Sequence, residues 1–167
     1  MKISQNFVSA LLIGGITFLA ACGGGQKDSS EESSSSSSST TTTTETPAID
    51  LAAKSESKGV GKFTSVQLGP IDPAMAEKGK VLFTAKCTAC HKTTDQKIVG
   101  PGLKGVTERR TPEWIMNQIT NPVEMEQKDP VGKALLQKYV SQMTFQNVSD
   151  DETRQILEYL RQNDAEK

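Results

Sequence analysis

Five consecutive residues, Cys87-Thr88-Ala89-Cys90-His91, hold two of the three cysteines and the single histidine of this 167-residue chain. Two thiols three apart followed by an imidazole admit three chemistries. A thioredoxin-like redox pair needs a βαβ context, and nothing over residues 63–110 alternates as strands should. A zinc site needs a fourth ligand or a water, and there is neither a second histidine nor a fourth cysteine to supply it. The third chemistry is attachment of a c-type haem. Two cysteines on one helical turn reach the two vinyl groups on one edge of a porphyrin, form thioethers, and leave the next side chain projecting over the iron. One covalent haem c is therefore the expected cofactor, with Cys87 and Cys90 as its anchors and His91 as the proximal iron ligand.

The remaining cysteine, Cys22, has a different setting. Residues 1–21 read as an export signal, with Lys2 as the positive start and an apolar run from Phe7 to Ala21. At 15 residues that run is short for a membrane span, which needs about 20. Leu19-Ala20-Ala21-Cys22 resembles the lipobox of bacterial lipoproteins, which implies that Cys22 is lipidated and becomes the first residue of the mature chain. The competing expectation is an ordinary signal peptide with a chance cysteine. Residues 22–70 include Gly23-Gly24-Gly25, seven serines from Ser33 to Ser39 and five threonines from Thr40 to Thr44. Such a composition buries too little apolar surface to offset chain entropy, so this stretch is expected to be a disordered tether, or a stalk that clears the cell surface. The folded domain is then expected over residues 71–167.

The elements that must position the pentapeptide are helical. Asp72-Pro73 is a helix start, with Asp as N-cap and Pro at the first position, and the helix runs through Ala76, Val81, Leu82 and Phe83 towards Cys87. Ser149-Asp150-Asp151-Glu152 is a capping box ahead of Ile156, Leu157, Tyr159 and Leu160. Gly79 costs its helix about 1 kcal/mol unless a second helix packs close to it. Gly79 and Phe83 ahead of Cys87, with Ile156 and Tyr159 in the last helix, resemble the crossed terminal helices of class I cytochromes c. The resemblance covers residues 71–167. It implies an all-α small cytochrome c fold, with N- and C-terminal helices crossing around a covalently bound haem.

The sixth iron ligand is not a second histidine of this chain, so Met is the next soft donor. Met75 precedes the attachment site, and Met116 falls in a helical stretch, 111–120, as core or filler. Met143 stands in a non-helical stretch, 141–148, where class I cytochromes carry their axial Met, and is the leading candidate. Met125 is the runner-up, because residues 121–125 also read as a loop. The family's Pro after the axial Met is missing here; Thr144 and Phe145 follow instead. Gly100-Pro101-Gly102-Leu103 resembles the loop whose Pro carbonyl accepts a hydrogen bond from the proximal imidazole; a plain turn is the alternative. Arg109, Arg110 and Trp114 are candidate donors to the haem propionates, against a solvated role for the two arginines.

The chain carries 19 basic and 20 acidic side chains, and residues 71–167 carry 14 of each, which argues against a nucleic-acid partner and against a one-signed steering field. Iron held by His and Met changes charge by one and suits an electron carrier rather than an enzyme. The resemblance implies transfer between respiratory redox proteins, from a quinol-oxidising complex to a terminal oxidase or reductase. The expected place is the extracytoplasmic, periplasmic side of the cell envelope, with a lipid anchor in the membrane. Two alternatives stay open: a gas-binding haem sensor with a labile sixth ligand, and the dedicated electron donor of a single reductase, such as nitrous oxide reductase.

Overall fold

The computed structural model describes residues 49–166, and among them every regular element is a helix. In chain order these are α1 (Pro73–Lys86), α2 (Val106–Arg109), α3 (Pro112–Thr120), α4 (Pro122–Lys128), α5 (Pro130–Tyr139) and α6 (Asp150–Ala165). The export signal, the expected lipidation site at Cys22 and the tether up to residue 48 lie outside the described residues.

Local chemistry sets the helix boundaries. The Asp72 carboxylate accepts from the backbone N–H groups of Ala74 and Met75, with Pro73 behind it as the first helical residue. Ser149 and Glu152 exchange side-chain and backbone hydrogen bonds in a complete capping box at the start of α6. Proline opens α3, α4 and α5 as well, which lets three short helices follow one another with a change of direction at each join.

Helices α1 and α6 cross where α1 has no side chain. A Cβ placed on Gly79 would overlap the backbone carbonyl of Gln155, so only glycine allows this approach. One turn further, Phe83 and Tyr159 pack with ring centroids 5.4 Å apart and planes tilted by 56°. Glu158, fully buried on α6, ties the start of α1 to this crossing: it accepts from the Asp72 N–H at 2.8 Å and pairs with Arg154 and Arg161. Arg161 also reaches the Gly69 carbonyl at 2.9 Å. The core is closed by Trp114, Ile115 and Met116 of α3, Met125 of α4, Val131 of α5, and Ile156, Leu157 and Leu160 of α6.

Two expectations need correction here. The tether was expected to extend to residue 70, but residues 49–69 pack against the helices, with Leu51, Val60, Phe63 and Val66 on the core. This arm has no helix of its own, and its backbone is satisfied by side chains of α3 and its neighbours. Asn117 accepts from the Phe63 N–H and donates to the Lys58 and Phe63 carbonyls. Glu113 accepts from the Val66 N–H, and Thr111 donates to the Ser57 carbonyl. The second correction concerns residues 121–125, which form the start of α4 rather than a loop; Pro122 occupies its first position.

Candidate functional site

The C-terminus of α1 delivers the pentapeptide to the mouth of a cavity of about 380 Å³. Cys87 caps α1, and its carbonyl accepts from both the Cys90 N–H (3.1 Å) and the His91 N–H (2.9 Å), so residues 87–91 close one tight turn. Cys87, Cys90 and His91 all line the cavity. Both cysteines are free. Further parts of the lining come from the 99–103 loop, from Trp114, Ile115, Gln118 and Ile119 of α3, and from the stretch around Met143.

His91 is held in one orientation. Its Nδ1 lies 2.9 Å from the Pro101 carbonyl oxygen, which only accepts, so Nδ1 carries the proton and Nε2 keeps a free lone pair. Burial lowers the imidazole pKa below its ordinary value, and the hydrogen bond to Pro101 opposes this only in part. The ring is therefore neutral at pH 7, the state in which it can bind a metal. Gly100 makes the fit possible, because an added Cβ there would stand 2.5 Å from His91 Cε1.

Burial pushes the Cys87 thiol up to about 11, with Lys86 pulling it down and Cys90 adding to the rise. Among these neighbours the neutral form of the sulfur is the favoured one. An uncharged thioether is at ease in the same surroundings. Two free thiols, Cys87 half-buried and Cys90 exposed, an imidazole with a fixed tautomer and a thioether side chain on one largely apolar cavity fit a covalently held haem.

The axial candidates separate clearly. Met143, between α5 and α6, lines the cavity; Gln118 Nε2 approaches its Sδ at 3.6 Å, and its N–H donates to Glu126 Oε1 at 2.8 Å. Met125 does not line it. It is fully buried on α4, where its Sδ accepts from the Val60 N–H of the arm, so the runner-up is a core residue rather than a ligand. Met116 is likewise core.

The expected propionate donors fare unevenly. Trp114 lines the cavity, but its Nε1 donates to Asp129 Oδ1 at 2.9 Å, so it serves as wall and not as donor. Arg110 is buried; its terminal nitrogens donate to the Leu51, Ala53 and Arg109 carbonyls, and its guanidinium stacks 5.6 Å from the Trp114 ring. Its solvated alternative is excluded by the same contacts. Arg109 lines the cavity and donates to the Lys104 carbonyl. Phe83 lines the cavity, whereas Gly79 and Tyr159 act behind it at the helix crossing. Sequence reasoning missed Leu51 and Ala52, which reach the cavity from the arm, and Gln118 and Glu126, which touch Met143. None of the four carries a motif, and Gln118 and Glu126 sit in mixed polar and apolar stretches, Asn117-Gln118-Ile119 and Met125-Glu126-Gln127, that give no sign of a contact to a distant loop.

The comparisons with known proteins agree with this geometry. A family model described as cytochrome c matches residues 76–164. A protein of Synechocystis described as cytochrome c-553-like is 32% identical over 69 residues, which is 39% of this chain and 66% of that relative, just short of two thirds of its length. Cytochrome c from Rhodothermus marinus shares 45% identity at a TM-score of 0.62, covering 64% of this chain and 92% of that one. An engineered form of the Rhodothermus protein, bound to a carbene intermediate, also shares 45% identity, at a TM-score of 0.58 over 63% of this chain and 91% of that one. With an all-helical fold, a matching family model over more than half its length and a cavity suited to covalent haem, this chain belongs to the cytochrome c family, whose members bind haem c.

Proposed function

We propose that this protein is a membrane-tethered monohaem electron carrier on the outer side of the cytoplasmic membrane, passing single electrons from a quinol-oxidising complex to a terminal oxidase or reductase. Haem c supplies the one-electron change between Fe(III) and Fe(II). Cys87 and Cys90 each add S–H across a vinyl group, which makes the attachment permanent. His91 offers Nε2 because Pro101 holds the proton on Nδ1, and this bond also raises the basicity of the ring. Met143, on the same cavity, would offer the iron a soft thioether, a donor that favours Fe(II) and raises the potential. The single observation that carries this reading is that His91, with its fixed tautomer, and Met143 line one cavity that also takes in both cysteines.

Cys22 as a lipidated first residue, followed by the Ser/Thr-rich stretch, accounts for the third cysteine and gives the carrier a reach on the order of 30 Å if residues 23–48 behave as a coil. With basic and acidic residues balanced, attachment replaces long-range attraction as the means of staying near a partner.

The test is optical. The haem-loaded protein is expected to show a sulfur-to-iron charge-transfer band when oxidised and no CO adduct when reduced, and Met143→Ala to lose the band and bind CO. Rapid CO binding by the unaltered protein would instead favour a gas-binding role.

A further inference from the structure

We propose that Glu126 of α4 and Gln118 of α3 are positioning residues that together hold Met143 over the cavity; this rests on the reading of Met143 as the axial ligand. The stretch between α5 and α6 has no helix to fix it. Val140 at its start and Asn147 near its end are in left-handed backbone, at φ 52 and 51. Such a segment does not by itself hold a thioether in one place, and the two contacts to Met143 come from two different helices. Glu126 Oε1 accepts from the Met143 backbone N–H at 2.8 Å, and Gln118 Nε2 points its donor at the Met143 sulfur at 3.6 Å.

Both side chains are held at a cost. Glu126 is 6% exposed, and its Oε2 and the Gln118 Oε1 are the two buried side-chain atoms without a hydrogen-bond partner among the described residues. A half-satisfied carboxylate in a core is unfavourable, and neither residue caps a helix or ties two helices together. Their shared feature is Met143. Glu126 fixes the backbone from which the side chain springs, and Gln118 occupies one lone pair of the sulfur, leaving the other for iron. With haem bound, the clamp would hold the Met143 thioether at the cavity, so that an outside ligand would have to compete with it.

The experiment compares the haem-loaded full chain with Glu126→Ala, Glu126→Gln, Gln118→Leu and Met143→Ala, reading the charge-transfer band, the CO association rate and the melting temperature. Glu126→Ala should speed CO association on the order of tenfold or more and weaken the band, since hydrogen bonds to charged groups are the stronger ones. Glu126→Gln keeps an acceptor oxygen and should return the rate to within about twofold of the unaltered protein. Gln118→Leu should raise the rate by a smaller factor than Glu126→Ala. Should Met143→Ala open the iron while Glu126→Ala leaves CO exclusion unchanged, the clamp is wrong and the ligand assignment stands. Should Met143→Ala leave the band intact, the ligand assignment falls and the clamp with it. Equal acceleration in Glu126→Gln and Glu126→Ala would also overturn the clamp, because the acceptor would then be irrelevant.

Discussion

A single carbonyl decides what His91 can do. The Pro101 oxygen accepts a hydrogen bond from Nδ1–H, burial keeps the ring neutral, and Nε2 is thereby the only nitrogen left for a metal. The preceding residue is as important as the proline, since the ring lies against the Gly100 α-carbon where a methyl group has no room. Gly100→Ala is therefore expected to turn the imidazole or to shift the 100–101 backbone, lengthening the bond to Pro101. Overpacking of this kind costs about 1–3 kcal/mol. The covalent haem should remain, because Cys87 and Cys90 are untouched; the melting temperature should fall, and the midpoint potential should rise, because a ring that donates less stabilises Fe(III) less. Redox titration of the variant checks this; an unchanged potential would show that the Pro101 contact does not tune the iron.

At the scale of elements, the crossing of α1 and α6 carries both packing and charge. Glu158 is the buried link. Burial alone would raise its pKa, but the N–H of Asp72 and the guanidinium groups of Arg154 and Arg161 outweigh burial and hold the carboxyl below its ordinary value. A carboxyl depressed in the folded state stabilises that state at pH values above its unfolded pKa, near 4.5. That contribution is lost as pH falls through the folded value, when the proton must be taken up. Melting temperature should therefore drop on acidification below pH 4.5, and Glu158→Gln should be less stable at pH 7 yet show a shallower acid slope; parallel slopes would assign the acid limb to other carboxylates. Much of this frame was legible in the chain: Asp72-Pro73, the Ser149 capping box, and Gly79 spaced from Phe83 each state a local rule that nothing in the fold contradicts. Residues 121–125 were misread because Asn121-Pro122 marks a break in one helix and, equally, the first turn of the next. The role of Met125 followed from that error, since a Met on a helix packed under the arm is core. Trp114 was legible as a cavity residue but not as the partner of Asp129, the cap between α4 and α5, a contact that no local pattern announces.

For the whole molecule, the consequential boundary lies inside the stretch that composition assigned to the tether. The arm over residues 49–69 has neither apolar periodicity nor a helix signal, and it is held by scattered residues: Arg110 grips the Leu51 and Ala53 carbonyls, Asn117 brackets Lys58 and Phe63, and Leu51 reaches the haem cavity itself. Composition averages over such contacts and so misses them. Two in-place deletions divide the stretch by function. Removing residues 49–66 strips Leu51, Val60, Phe63 and Val66 from the core and leaves the polar groups of Asn117 and Arg110 without their partners. Lost burial and unmet hydrogen bonds amount to several kcal/mol, on the order of 10 °C or more in melting temperature, and the cavity edge opened at Leu51 should let CO and exogenous imidazole reach the iron faster. Removing residues 23–48 touches none of these contacts. It should leave the spectrum and the melting temperature as they were, and slow the turnover of the membrane-bound partner in intact cells by shortening the carrier's reach. Unchanged respiration after the second deletion would overturn the tether as a device for reaching partners, and an unchanged melting temperature after the first would overturn the arm as part of the folded unit.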